Sequence, residues 1–430
     1  MSKLTRRAFL RATSFGLLLP SMAGQLGFTL RSARAAADGV TGQKTLVYLF
    51  FRGGMDTLSW LVPISGQNRI EYENKRPNIR VPLSGNNAAI PLDDAFGLNS
   101  GSSALTNLYN MGSLAFVQAC GMPSGQGSRS HFESMRLYET GGTLDNSQIT
   151  GWLARYLDSS PTLSPTAIFP SLTPGVLPDV LRGSSRSMAV DDPSNFHPNS
   201  GAYGNEHLTT LSSLYDGNSR MDATVRTAVD TVYQLENSNL DLPAGVYPNT
   251  SLARNLGLIA QVIKGNYGLE VATVDFGGWD THQNQGNNGT GYFRDRIRIV
   301  AEAVDAFFTD LASAGLMDNV VLVTQTDFGR RVRENGNQGT DHGTGQVMMV
   351  AGGAVQGGRI LGTFPGITDQ QLYLNTDVTA TTDYRTVLSD VVVNFMGNPD
   401  YTGIFPGYSG RDGLGLFPTE RIFVDEFESI

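Results

Sequence analysis

The segments Trp279-Asp280-Thr281-His282 and Gly339-Thr340-Asp341-His342-Gly343 each set an imidazole close to a carboxylate, in a chain of 430 residues that has only five histidines. Imidazole and carboxylate together suit zinc, manganese and iron, whereas carboxylate and carbonyl oxygen alone suit magnesium or calcium. One Asp-His pair is equally well explained by a turn or a ring-orienting hydrogen bond. Two such pairs favour a metal-binding or catalytic centre. His197 and His207 read as surface residues.

The other groups of reactive side chains follow runs that read as buried strands. Thr45–Phe51 leads to Arg52-Gly53-Gly54-Met55-Asp56, and Leu114–Ala119 leads to Gly127-Ser128-Arg129-Ser130-His131-Phe132. Glu270–Phe276 leads to the first Asp-His cluster, and Asn319–Thr324 to Thr326-Asp327-Phe328-Gly329-Arg330-Arg331. A last run, Gln346–Gly352, follows the second cluster. Such apolar, β-rich runs predict strands covered on both faces, as in a largely parallel sheet. Ligands of open α/β sheets bind beyond the carboxyl ends of the strands, so these side chains should converge on one rim.

Helices are predicted at Ser103–Met111, His131–Thr140, Gly151–Leu157, Asn205–Tyr215, Met221–Leu235, Thr250–Lys264, Tyr292–Ala314 and Asp383–Met396. In Tyr292–Ala314, Ile297, Val300, Ala301, Val304, Phe307, Phe308 and Leu311 keep an apolar stripe at helical spacing, which reads as core. The fold class expected is α/β, a doubly wound, largely parallel sheet with helices on both faces. Segments from about Pro161 to Ser200 and Asp216 to Pro248 are rich in Pro, Ser, Asn and Asp and read as an insertion or cap over the sheet, at about 161–248.

Individual residues keep two readings each. Asp56 is either a metal ligand or the cap of a following helix. Ser130 is either the N-cap of the helix that starts at His131 or a nucleophile placed where backbone N–H groups stabilise an anion. Arg330 and Arg331 cannot face the same way, so one is free to clamp an anionic group while the other makes a structural ion pair. Arg52, beside the first strand, is a second candidate clamp.

A net charge of −9 and a pI near 5.1 argue against a nucleic-acid surface. The lone Cys120 permits no internal disulfide and reads as a buried thiol. At the N-terminus, Thr5-Arg6-Arg7-Ala8-Phe9-Leu10 is a twin-arginine pattern, followed by an apolar stretch from Phe15 to Leu30 and the small-residue site Ala33-Arg34-Ala35. Pro20, Gly24 and Gln25 interrupt the stretch, so residues 1–35 read as a twin-arginine export signal and not as a membrane span. The expectation is a periplasmic or secreted protein, one domain over 36–430, with no stable membrane span after signal removal.

The chain resembles the bacterial exported proteins grouped as domain of unknown function 1501, which are similar in fold to the alkaline phosphatase and sulfatase superfamily. The resemblance rests on Leu49-Phe50-Phe51-Arg52-Gly53-Gly54-Met55-Asp56, Arg129-Ser130-His131-Phe132, Gly151-Trp152-Leu153-Ala154-Arg155-Tyr156-Leu157, Trp279-Asp280-Thr281-His282 and Thr326-Asp327-Phe328-Gly329-Arg330-Arg331 with Gly339-Thr340-Asp341-His342-Gly343. It implies Asp56 as the first metal-binding aspartate and Ser130 at the nucleophile position. It implies Asp280 and His282 as the Asp and His that follow a later strand, Asp327 as the aspartate of the next pair, and His342 as the distal histidine, with Asp341 a ligand or its hydrogen-bonding support. Two departures stand out: Asp280 and His282 are two positions apart instead of the usual four, and Phe328 stands where the second pair has histidine. The loss of that imidazole leaves the second metal with mostly oxygen ligands, which suit magnesium, calcium or manganese, or leaves that position empty and the site mononuclear.

The activity this implies is metal-dependent hydrolysis of phosphate or sulfate esters, with a divalent metal (zinc, manganese, magnesium or calcium) and a small anionic ester or envelope polymer as substrate. An arginine, Arg330 or Arg52, would neutralise developing charge. If water attacks in place of Ser130, His131 or His342 is the candidate proton carrier. The rival is a non-catalytic envelope protein that retains the fold and binds a polysaccharide, a lipid or a protein partner.

Overall fold

The computed structural model describes residues 43–418 apart from 164–166, 168, 185, 188, 191–203, 220, 223–224, 227–228, 230–231, 234–239 and 411–412. The expected export signal, His197 and most of the helix expected at Met221–Leu235 lie outside the described residues.

The strands are β1 (Thr45–Phe51), β2 (Leu61–Pro63), β3 (Ile90–Pro91), β4 (Phe96–Leu98), β5 (Leu114–Gly121), β6 (Ser171–Pro174), β7 (Ala189–Val190), β8 (Val271–Phe276), β9 (Val320–Thr326), β10 (Gln346–Gly352), β11 (Arg359–Leu361) and β12 (Thr382–Asp383). A nine-stranded sheet runs β11-β5-β10-β9-β1-β8-β6-β7, with β12 also on β5, while β2, β4 and β3 form a small antiparallel sheet. The pairs of β1 with β8 and β9, of β6 with β7 and β8, and of β5 with β11 and β12 are parallel. β10 runs antiparallel to both of its neighbours.

Alternation along β1 shows why the sheet needs two covering layers. Val47, Leu49 and Phe51 join a core packed by the helices Ser251–Lys264 and Tyr292–Ser313. Leu46, Tyr48 and Phe50 join a second core packed by His131–Thr140, Trp152–Ser159 and Tyr384–Asp390. Side chains of a strand point alternately to opposite faces, so a strand apolar at every position requires helices on both sides. The expected α/β, doubly wound architecture is present, and the expected stripe from Ile297 to Leu311 is buried. Cys120 is a buried free thiol.

Three elements differ from expectation. β6 lies in a segment read as an insertion over the sheet, yet it pairs with β8 and extends the sheet itself; Thr173 bonds Thr273 across that edge at 2.6 Å. The helix Gly66–Lys75 has too few apolar residues to announce itself in sequence. The helix expected through Met396 changes to a π-helical turn at Val391–Phe395. No helix among the described residues is long and apolar enough to cross a membrane.

The antiparallel course of β10 positions the site. The carboxyl ends of β1, β5, β8 and β9 share one edge of the sheet, and β10 begins at that same edge. The connection from β9 to β10 therefore stays at the rim. It carries Asp327, Arg330, Arg331, Asp341 and His342 past the loops that leave the other strands.

Candidate metal centre

Asp280 and His282, after β8, meet His342, before β10, and His131, at the start of the helix Ser130 precedes. The Nε2 atoms of His282 and His342 are 2.8 Å apart. Asp280 Oδ1 lies 3.2 Å from His282 Nε2 and 3.4 Å from His342 Nε2, and Asp280 Oδ2 lies 3.5 Å from His131 Nε2. Ligand atoms of His131, Asp280 and His342 all lie within 4.8 Å of one another.

The opposite nitrogen of each ring is occupied. His342 Nδ1 meets the Arg129 carbonyl at 2.7 Å, His131 Nδ1 meets Asp327 Oδ2 at 2.7 Å, and His282 Nδ1 is 3.4 Å from Asp341 Oδ1. A carbonyl or carboxylate can only accept, so each Nδ1 carries a proton and, in the neutral ring, Nε2 keeps a lone pair. Two lone pairs facing at 2.8 Å repel unless a proton or a cation lies between them. Nε2 of His131 is buried with no hydrogen-bond partner. One orphaned Nε2 and two more brought face to face beside a carboxylate, with the far ring nitrogens held by acceptors, form a donor set that fits a divalent cation.

Arg330 shapes this cluster from behind. Its Nη2 reaches Asp280 Oδ1 at 2.6 Å and the Gly53 carbonyl at 2.5 Å, its Nε the Gly54 carbonyl at 2.6 Å, and its Nη1 the Thr340 carbonyl at 2.7 Å. Its side chain is 0% exposed. A buried guanidinium must spend its donors on local acceptors, so Arg330 ties three loops together and is not available as the anion clamp expected of it. Arg52 is also engaged, with both oxygens of Glu139 at 2.8 and 3.0 Å and with Asp275 at 3.0 Å.

Electrostatics follow from these contacts. Burial pushes the Asp280 carboxyl up, but the Arg330 bond and charge, with His282 and His131, hold it below the ordinary aspartate value. The Asp327 hydrogen bond raises the His131 pKa against burial, and burial lowers that of His342. The Asn335 amide, 3.1 Å from Asp341 Oδ1, keeps Asp341 low.

Asp56 is not part of the cluster. It is fully buried in a bidentate pair with Arg76, at 2.6 and 2.9 Å, and accepts from Ser59 at 2.7 Å and Gln285 at 2.6 Å. Its oxygens are saturated, and the Arg76 guanidinium supplies the positive charge that a ligand role would have assigned to a metal. Asp327 is spent likewise: it accepts from Gly53 N–H at 3.1 Å as well as from His131. The Phe328 ring, buried, lies 4.8 Å from His131 and 4.4 Å from His342, walling the centre where the resemblance expects another imidazole. Ser130 is exposed next to His131 and makes no side-chain cap bond, so the cap reading of its hydroxyl falls away.

Sequence reasoning passed over Arg76, Gln285, Asn335 and Asp377. Gln285 follows His282 by three residues and sits behind the centre, bonded to Thr281 and Thr340 as well as to Asp56. Asp377 accepts two bonds from Arg129, whose carbonyl holds His342. No periodicity or motif marks these positions.

Residues 43–396 match the family described as "Protein of unknown function (DUF1501)", and the chain belongs to that family. No curated protein matches it in sequence. Among solved structures it is similar to the PsFucS1 sulfatase from Pseudoalteromonas sp., at 8% identity over 83% of this chain and 68% of that one, with a TM-score of 0.36. It is similar also to the C-terminal periplasmic domain of EcEptC from Escherichia coli in complex with Zn, at 9% identity over 73% and 74% of the two chains and a TM-score of 0.32. Alkaline phosphatase from the Antarctic bacterium TAB5 aligns at 10% identity over 74% and 94%, with a TM-score of 0.29. The chemistry has to come from this chain's own side chains.

Proposed function

We propose that this member of the DUF1501 family is an exported metal-dependent hydrolase of phosphate or sulfate esters, with one divalent cation held by Asp280, His282, His342 and His131. The observation that carries the reading is the buried, unpartnered Nε2 of His131, directed at the space it shares with Asp280 and His342. Three imidazoles and one carboxylate favour zinc over magnesium or calcium. The saturated Asp56–Arg76 pair and the Phe328 wall favour a mononuclear centre.

When bound, such a cation polarises an ester oxygen and lowers the pKa of a neighbouring hydroxyl or water. The chain's own residues do the rest. Asp327 and the Arg129 carbonyl fix the rings of His131 and His342, Arg330 fixes Asp280, and Phe328 excludes water from one side of the centre. Ser130, exposed at the first turn of the helix His131–Thr140, offers a hydroxyl where helix N–H groups favour an incoming anion. The substrate class that suits this arrangement is a small anionic ester or the ester linkage of an envelope polymer.

The test is metal analysis of the protein purified after export, with turnover assayed on aryl phosphate, phosphodiester and aryl sulfate panels. One equivalent of metal with turnover that chelation abolishes is expected. Metal-free protein that turns over none of them, yet binds polysaccharide or lipid, would replace this reading by the binding-protein one.

A further inference from the structure

We infer that Arg331 is the residue that contacts the anionic group of the ligand, an inference that deepens the proposed function and takes the metal centre as its starting point. The arginines that contact the loops around the centre are otherwise engaged. Arg330 is saturated by carbonyls and Asp280, Arg52 by Glu139 and Asp275, Arg76 by Asp56, and Arg129 by the buried Asp377.

Arg331 is held differently. Its backbone is fixed, since its N–H donates to the Asp341 carbonyl at 2.9 Å and its own carbonyl accepts from Arg76 at 3.1 Å. Its side chain is 40% exposed, has one 3.5 Å ion pair from Nη1 to Asp341 Oδ2, and leaves Nε buried with no partner. Asp341 in turn lies 3.4 Å from His282, which places this guanidinium one carboxylate away from the metal donors. An arginine with its Nε–Nη2 edge unbonded keeps the bidentate pattern that matches two oxygens of a phosphate or sulfate, and because Nε is buried here the side chain must turn to present it. A side chain so lightly held reorients toward a ligand without breaking a hydrogen bond.

The local charge points the same way. The carboxylates Asp377, Asp280 and Asp341 face the guanidiniums Arg129, Arg330 and Arg331, and Asp327 faces the His131 ring. A divalent cation tips that balance to positive, and a tetrahedral oxyanion restores it. The ligand class is therefore an oxyanion that bridges the centre and Arg331.

Inorganic phosphate and sulfate titrated calorimetrically into the zinc-loaded and the zinc-free full chain test this, beside a separate zinc titration. Arg331→Gln should weaken oxyanion binding about ten- to hundredfold while leaving zinc affinity unchanged. Arg331→Lys should recover part of the loss, because it restores the charge without the bidentate edge. The exposed Arg333, two residues on, supplies the control: Arg333→Gln should change nothing. Equal losses in both Gln variants, or wild-type oxyanion affinity in Arg331→Gln, would overturn the assignment. A wild type that binds oxyanion through Arg331 but takes up no zinc counts against the metal centre alone, and one that binds neither removes both.

Discussion

His131 Nδ1 lies 2.7 Å from Asp327 Oδ2, while the other nitrogen of the same ring is buried without a hydrogen-bond partner. The carboxylate decides which nitrogen carries the proton and aims the remaining lone pair at Asp280 and His342. Asp327→Asn should therefore lower metal affinity about 10–100-fold without removing any ligand. Competition against a chromogenic chelator measures it, and an unchanged affinity would mean that the ring is oriented by packing on Phe328 alone.

Metal removal should lower thermal stability. A ligand that binds only the folded state stabilises it by about 4 kcal/mol when present at a thousand times its Kd. The melting temperature should thus rise on adding zinc to chelator-treated protein. In Asp280→Asn and His342→Gln that rise should shrink, because each removes a donor from the space defined by His131, Asp280 and His342.

The Asp56–Arg76 pair makes a separate prediction about stability. Arg76→Met would leave a fully buried carboxylate without its counter-charge, at a cost of about 3–5 kcal/mol. The pair also sets an acid limit. Burial raises the Asp56 pKa, but Arg76, Gln285 and Ser59 outweigh it and depress the folded-state value below the ordinary 3.8. A depressed carboxylate contributes stability that is present above the unfolded-state pKa and is lost as pH falls through the folded-state one. The wild type should lose this contribution only below about pH 4, and Asp56→Asn should flatten that part of the stability–pH curve in urea titrations.

Gly54→Ala should disturb the centre although residue 54 has no reactive side chain. Its φ of +69° is a left-handed conformation, and an added Cβ would meet the Phe328 ring at 2.3 Å. Since Phe328 packs on both His131 and His342, the displacement should weaken metal binding along with stability. Retention of full zinc affinity would show that Phe328 does not brace the rings.

Ser130→Ala separates nucleophile from bystander. No side-chain cap bond is lost, so the melting temperature should stay close to that of the wild type, while turnover on aryl esters should disappear. Activity retained at near wild-type level would assign the attack to water.

The frame of the fold is legible in the residues alone. β1 and β10 could be read to the residue, and β5, β8 and β9 to within two, because strands buried on both faces are short, largely apolar, β-rich runs bounded by turn residues. Strand order along the chain then put Asp280, His282 and Asp327 at the same rim, whereas His342 precedes β10 and reaches that rim only because β10 runs antiparallel. The helix Gly66–Lys75 escaped notice because it is polar on almost every face, and with it escaped Arg76, the residue that occupies Asp56. The sheet edge at β6 was hidden for the opposite reason: a four-residue strand bounded by Pro and Gly has no pattern of its own and exists only because β8 offers it a ladder.

Which carboxylates and arginines remain free follows from contacts between distant loops. A residue type states what a side chain can donate or accept, but burial presses each polar atom to find a partner, and the partners lie anywhere from 3 to 277 residues away. That obligation takes Asp56, Arg52 and Arg330 out of reach of a ligand, turns Asp327 toward His131, and leaves His131 Nε2 and Arg331 Nε without partners at the rim. Spacing in a sequence cannot express such a choice, because it depends on the saturation of hydrogen bonds across loops that only the folded sheet brings together.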